Sequence, residues 1–266
     1  MASTGVLTSS ERASGWRPDP VLWVRLAIIV GVLVLWQVVA MSGLLYQDVV
    51  PQLPAIVAAL GRLLVNPELY RNLWVTLYET VLALVFGGVA GLFVGIVLGG
   101  SRFFGRAFEP YLYYLGPTPK IIFFPVMIMW FGTGGGSKIA MGAFSCFFPV
   151  ALSVAVGMRA IPPILMRVGQ SFRASPRQMV QKIYLPAMRE PVVNGLRLGF
   201  GIALIGVLLA ETKLSNQGLG FLVIQNYQRF DMPAMYALLI AIFVLSMGAN
   251  AAITRLTSRS AASGAR

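Results

Sequence analysis

The longest apolar stretch of this chain lies in its first half. Residues 73–99 have the sequence LWVTLYETVLALVFGGVAGLFVGIVLG, in which Glu79 is the one charged side chain. A helix of about 20 apolar residues crosses the hydrocarbon core of a bilayer, and a helix satisfies its own backbone hydrogen bonds there. This stretch therefore predicts a membrane-spanning helix, with lipid as its solvent.

Glycines recur at intervals of four residues in the second half of this stretch, at Gly87, Gly91, Gly95 and Gly99. Four residues are close to one helical turn, so these glycines share one face of the helix. Small residues with this spacing allow a second helix to approach closely in lipid. The pattern predicts helix packing through this face, and the partner helix belongs either to the same chain or to a second subunit.

Five further apolar stretches resemble the first in length. Hydrophobic residues make up 57% of the 266 residues and charged residues only 11%, whereas soluble domains carry about 25% charged residues. The predicted fold class is therefore an all-α membrane protein with six transmembrane helices. The six stretches are residues 21–41, 73–99, 111–131, 139–157, 192–210 and 234–253.

The basic residues are distributed unevenly between alternate connections. Thirteen lie in the two tails, in the second connection and in the fourth connection at residues 158–190, but only five lie in the other connections. Cytoplasmic segments carry an excess of Lys and Arg. We therefore expect both termini and the 158–190 loop in the cytoplasm. The predicted organisation is a cytoplasmic tail at 1–20, a transmembrane domain at 21–257 and a second tail at 258–266.

Several kinds of chemistry are excluded by the composition. The chain has no histidine, which removes the usual general base and the commonest metal ligand, and its single cysteine, Cys146, cannot form an intrachain disulfide. Residues 132–139, GTGGGSKI, look like a phosphate-binding loop but lack its second glycine and its Ser or Thr after the lysine. We interpret them as a flexible turn, and no ATPase motif or metal site is predicted.

The connection at residues 158–190 is too long for a simple turn and is predicted to contain two short helices. Pro162 and Pro163 suit the first turn of the first helix. Ser175 is the predicted N-cap of the second helix. We expect that helix to end at Leu185-Pro186, and the fifth span to begin at Pro191.

The same loop resembles the EAA motif of permeases from binding-protein-dependent ABC importers. That motif has Glu-Ala-Ala, three residues, Gly, nine residues, Ile, one residue and Leu-Pro; here Ile183 and Leu185-Pro186 stand in register with its last part. The resemblance covers roughly residues 70–255 and is closest to the nitrate/sulfonate/taurine branch. The other matching segments are Pro117-Thr118-Pro119-Lys120, Trp130-Phe131-Gly132, Gly195-Leu196-Arg197 and Ala210-Glu211.

This resemblance implies the permease subunit of an ABC importer in the bacterial cytoplasmic (inner) membrane. Such a subunit is not an enzyme and binds no cofactor, because ATP and Mg are bound by a separate ATP-binding cassette subunit. The other implied partners are an extracytoplasmic solute-binding protein and a second permease subunit in a homodimer. The implied solute is a small organic anion such as an alkanesulfonate or taurine, or nitrate.

The resemblance also implies a coupling helix that inserts into a groove of the ATPase subunit. This sequence departs from the motif at Arg167, Gly169 and Arg173, which replace its Glu, its second Ala and its Gly. Because glycine usually supplies the left-handed residue after a helix, Arg173 predicts an altered turn. The predicted coupling residues are Arg167, Val168, Gly169, Gln170, Ser171, Phe172, Arg173, Ala174 and Ser175.

Three residues are candidates for the translocation path: Lys120, Met127 and Glu211. Lys120 precedes the next external turn by roughly 16 Å of helix, about half the bilayer, and an ammonium group at that depth needs a cavity or a partner. The alternatives are that Lys120 snorkels or pairs with a carboxylate and that Met127 packs in the core. Glu211, like Glu79, is alternatively a structural charge near the outer end of its span.

Other functions remain open at this point. A permease for a thiamine-precursor pyrimidine or an aromatic carboxylate would have the same loop. An ion-coupled secondary transporter is the alternative of another class. It is disfavoured because the chain shows no convincing internal repeat and no carboxylate near the centre of a span.

Overall fold

The computed structural model describes residues 20–43 and 49–263, with side chains up to residue 255. Most of the predicted N-terminal tail lies outside these residues, and residues 258–263 of the predicted C-terminal tail continue the last helix. The helices are α1 (Pro20–Met41), α2 (Leu53–Val65), α3 (Pro67–Gly100), α4 (Arg102–Leu115), α5 (Phe124–Phe131), α6 (Gly135–Arg159), α7 (Pro163–Ser171), α8 (Pro176–Met179), α9 (Leu185–Glu211), α10 (Leu219–Gln228) and α11 (Met232–Ser263).

The described residues are helices and turns without strands, which confirms the all-α membrane fold. Five helical segments are long and apolar enough to cross a membrane, and a sixth span results when the bent pair formed by 102–115 and 120–131 is counted as one. The prediction of six spans is therefore confirmed, with the third span broken.

The chain divides into two compact units at Pro54. In the first unit, α1 is an apolar helix whose second half binds the segment that follows it. The Trp36 indole donates a hydrogen bond to the Pro51 carbonyl oxygen, and the Leu53 amide donates one to Oε1 of Gln37. These two bonds fix where the chain turns after the first span.

In the second unit, α3, α6 and α9 form the centre of the bundle, and the glycine face of α3 lies against α6. A Cβ at Gly91 would lie 2.8 Å from the Phe147 carbonyl oxygen, and one at Gly95 would lie 2.6 Å from that of Ala151. Gly87, one turn before Gly91, and Gly99, one turn after Gly95, contact α6 in the same way. The structure thus places the glycine stripe in packing within the chain.

The bundle has two ends, named here after the short helices that lie there. Successive glycines along α3 meet successive residues along α6, so these helices run parallel, and α9 runs in the opposite direction and packs against both. The α7 end holds Gly99, Arg159 and Leu185, and the α10 end holds Leu69 and Glu211.

The third span is not the single helix at residues 111–131 that was predicted. α4 ends at Leu115, a 3-10 helix follows at Lys120–Phe123, and the two halves are bent by 94°. Pro117 and Pro119 lack amide hydrogens and restrict the residues before them, so a regular helix cannot continue through this segment. The break leaves the Gly116 carbonyl oxygen without the amide partner that a continuing helix would supply.

The fifth span also begins earlier than predicted. The segment from α8 through a π-helix at Val180–Tyr184 into α9 is one continuous helical span of 36 residues, so the prediction that Leu185-Pro186 ends a helix is wrong. The wider π-turn, in which the Leu185 amide donates to the Val180 carbonyl oxygen, accommodates a proline that a tight α-turn would not. Pro191 lies inside α9 rather than at its start.

Candidate functional site

The predicted coupling residues form α7 and the turn that follows it. Their side chains are exposed except at Gly169, which is buried, and at Ala174, which is half-buried. A Cβ at Gly169 would contact the Met179 sulfur and lie 2.7 Å from Cδ1 of Ile183. This glycine therefore lets α7 lie directly against the start of the fifth span.

The turn after α7 has the geometry expected of the motif even though its glycine is replaced. Arg173 has φ +49°, the left-handed region, and the Ala174 amide donates to the Gly169 carbonyl oxygen at 2.9 Å. The predicted alteration of the turn is therefore absent, and Arg173 adopts a conformation that costs a non-glycine residue about 1 kcal/mol or more. As predicted, Ser175 caps the next helix, in a reciprocal pair of hydrogen bonds with Gln178 of 3.3 and 2.8 Å.

An ion pair fixes the end of α6 immediately before α7. The guanidinium of Arg159 donates to both carboxylate oxygens of Glu109 on α4. A bidentate pair of this kind is stronger and more directional than a single contact. It attaches the base of the α7 segment to α4. The two residues are 50 positions apart, so no local pattern predicts their pairing.

Lys120 lies at the break in the third span. Its ammonium group donates to the Gly116 carbonyl oxygen, one of those left free by the prolines, and lies 5.0 Å from the centre of the Phe148 ring. Met127 is half-buried and packs beside Phe124 and Met141. Lys120 and Met127 thus lie on consecutive parts of the broken third span, whereas Glu211 lies at the α10 end.

A buried polar cluster occupies the α10 end. Glu211 is fully buried; its Oε1 accepts a hydrogen bond of 2.7 Å from the Thr76 hydroxyl, and its Oε2 accepts one of 2.7 Å from the Gly220 amide. Thr76 also accepts from the Leu219 amide, and Asn72 accepts from the Gly218 amide. Residues on α3 and α9 therefore satisfy the orphan amides at the start of α10, where a negative charge is also favoured.

Glu79 also lies in this cluster, buried beside Glu211. One expectation for this end was wrong. Residues 132–139 are not a turn throughout, because α6 begins at Gly135, and Lys138 is buried with its ammonium group donating to the carbonyl oxygens of Thr133 and Gly134. The cluster thus has two carboxyl groups and one ammonium group on three helices.

Replacing Thr76 with valine is expected to destabilise the protein by about 2–4 kcal/mol, because each buried polar group left without a partner costs about 1–3 kcal/mol. The change removes the partner of both the Glu211 carboxyl and the Leu219 amide. Thermal unfolding of the purified chain measures it. Thr80→Val is the matched control, since that hydroxyl donates only to a carbonyl oxygen of its own helix. Equal effects of the two changes would contradict this assignment.

Comparison with known proteins assigns the family. Residues 87–261 match the model of the family described as binding-protein-dependent transport system inner membrane component. The chain is 32% identical to the taurine transport system permease protein TauC of Escherichia coli, over 79% of this chain and 78% of that protein. It is 29% identical to the putative aliphatic sulfonates transport permease protein SsuC of Bacillus subtilis, over 81% and 78%.

A solved structure has the same fold. A chain of the MetNI methionine ABC transporter in an inward-facing conformation superposes with a TM-score of 0.65 at 23% identity, covering 72% of this chain and 95% of that one. The chain therefore belongs to the family of binding-protein-dependent transport system inner membrane components, and it is a multi-pass inner-membrane permease subunit of an ABC importer.

Proposed function

We propose that this permease forms the path for a small organic anion and is driven by separate ATPase subunits that bind α7. The observation that carries the proposal is the α7 segment itself, a short exposed helix on the loop that matches the EAA motif. The chain would then bind no nucleotide of its own, since ATP and Mg would be bound by the ATPase subunit.

The surface of α7 suits insertion into a groove on a soluble partner. Phe172, at the end of the helix, is 83% exposed, and Val168 is exposed one turn before it. Apolar side chains on a short helix are the usual anchors of helix-in-groove recognition. Because Gly169 and the Ser175 cap hold the base of this segment against the fifth span, a displacement of α7 would be passed to that span.

The anion class is supported by Lys120. Its contacts are a carbonyl oxygen and an aromatic ring, and within the described part of the chain no carboxylate forms an ion pair with it. An ammonium group held this way near the middle of a bundle keeps its charge available to a passing anion. Relatives named for taurine and aliphatic sulfonates fit such a solute.

The remaining parts of the proposal concern the assembly and its orientation. We place the α7 end and both termini in the cytoplasm, following the basic residues. An extracytoplasmic solute-binding protein would deliver the solute at the α10 end, and two copies of the permease would enclose the path. Purification of the tagged chain from its own cells tests this assembly: a chain with an ATP-binding P-loop motif should copurify, and ATP should drive uptake of labelled taurine or alkanesulfonate into proteoliposomes.

Replacing Lys120 with methionine is expected to lower ATP-driven uptake of a sulfonate at least tenfold, because the substitution removes the charge while keeping the length of the side chain. Initial uptake rates in proteoliposomes measure it. Lys213→Met, an exposed lysine of the connection after α9, is the control and should transport normally. Unchanged transport by Lys120→Met would refute the role of this lysine, as would uptake of a neutral pyrimidine in place of the anions.

A further inference from the structure

We propose that an anionic phospholipid headgroup binds in a cavity at the α7 end, held by Arg102 and Arg106 of α4. The inference goes beyond the proposed transport function and concerns a different part of the chain from Lys120. The cavity lies between the end of α3, the first half of α4 and the end of α6, and has a volume of about 760 Å³. That volume is sufficient for a phosphate with its glycerol linkage.

The cavity is lined by one face of α4. Arg102, Arg106, Glu109 and Tyr113 follow one another at intervals of three or four residues, so their side chains leave the helix on the same side. The end of α3 on the other side of the cavity consists of Gly99 and Gly100. Gly99 is packed against α6, whereas a Cβ at Gly100 would meet only the end of the Met158 side chain at 3.6 Å, which leaves room for a ligand beside the guanidinium groups.

The charges in this cavity are not balanced. Both oxygens of Glu109 are used by Arg159, and within the described residues no other carboxylate lines the cavity or pairs with Arg102 or Arg106. Two arginines one turn apart on a helix repel each other, and an anion bound between them would remove this repulsion. A phosphate group is the anion whose geometry matches two guanidinium forks.

The phenylalanines of α4 favour a lipid as the source of that phosphate. Phe103 is 73% exposed, and Phe104 and Phe108 are exposed beside it, with ring centres 5.4 and 6.3 Å apart along the series. Phenylalanine is a common apolar residue of helices that lie at the boundary between headgroups and acyl chains. A helix with arginines on one face and aromatic rings on the other is suited to hold a headgroup while its rings contact acyl chains.

The site adjoins the coupling segment. Met166 of α7 and Arg159 at the end of α6 line the same cavity. A bound headgroup would therefore lie against the base of α7, in addition to the ion pair that joins α6 to α4. Occupancy of the site would make the position of α7 depend on the anionic lipid content of the membrane.

Titration of the purified full-length chain in detergent with phosphatidylglycerol, followed by native mass spectrometry, tests the proposal. The double variant Arg102→Gln/Arg106→Gln is expected to bind phosphatidylglycerol about 10–30-fold more weakly, because each arginine near the headgroups supplies roughly a factor of five in affinity. Binding of phosphatidylcholine should not change. The double variant Arg62→Gln/Arg71→Gln, with two exposed arginines of α2 and α3, is the matched control and should bind phosphatidylglycerol normally.

Several outcomes would overturn the proposal. One is that both double variants bind phosphatidylglycerol equally; another is that inorganic phosphate or taurine displaces the lipid at millimolar concentration, which would identify a site for soluble anions. The single variant Arg106→Gln, with an expected loss of about fivefold, keeps the test decisive if the double variant folds poorly. Normal lipid affinity in that single variant would equally refute the site.

Discussion

Replacing Gly169 with leucine is expected to reduce ATP-driven uptake at least tenfold and to release the ATPase subunit on purification. Any Cβ at this position meets the Met179 sulfur, and a leucine would also meet Ile183, so α7 would be pushed away from the start of the fifth span. A docking helix displaced by even about 1 Å can lose much of its function, because the partner requires a defined geometry. The measurements are uptake in proteoliposomes and the amount of copurified ATPase.

The control for this change is Gly61→Leu. Gly61 lies on α2, and a Cβ there would meet nothing within 4 Å. Both variants should unfold at the same temperature as the parent chain, because α7 is peripheral to the packing of α3, α6 and α9. Uptake within twofold of the parent in Gly169→Leu, with the ATPase still bound, would contradict the coupling role of α7.

Replacing Gly95 with leucine is expected to destabilise the packing of α3 against α6. Its Cβ would lie 2.6 Å from both the Ala151 carbonyl oxygen and the Val154 Cβ, atoms of a helix backbone that cannot move aside singly. Overpacking a close contact costs about 1–3 kcal/mol and occasionally more. At the upper end of that range, about 3 kcal/mol, and at roughly 2–4 °C per kcal/mol for a chain of this size, the unfolding temperature should fall by about 6–12 °C, with lower yield of monodisperse protein.

Gly248→Leu is the matched control for this second change. Gly248 lies on the long helix α11, where a Cβ would meet nothing within 4 Å. It should leave the unfolding temperature within about 2 °C of the parent value, as surface substitutions usually do. An equally small shift in Gly95→Leu would show that α3 and α6 are farther apart than their carbonyl contacts imply.

Features set by nearby residues were predictable from the sequence. Apolar length located the spans, glycine spacing identified the packing face of α3, and Ser175 marked a helix start. Each of these features depends on residues that lie within one or two helical turns of each other in the sequence. Helix boundaries at proline were less predictable: Pro186 directly follows a π-turn and Pro191 lies inside α9, both within one continuous span, whereas Pro117 and Pro119 break one.

Features that join distant residues could not be found in this way. Thr76 and Glu211 are 135 positions apart, and each by itself looks like an ordinary polar residue near the end of a span. The amides of α10 with which they bond lie in the connection after the fifth span. Similarly, nothing near Arg102 and Arg106 in the sequence shows that Glu109 is already paired with Arg159.

The unbroken helix from Pro176 to Glu211 has a mechanical consequence. It has 36 residues, and at 1.5 Å per residue it is about 54 Å long. A tilt of about 5° pivoted at one tip moves the other tip sideways by about 5 Å. The N-terminal end of this helix lies beside α7, and its C-terminal end carries Glu211, which binds the start of α10. A small rotation that begins at the α7 end would therefore move Glu211 by several ångströms and pull it away from α10.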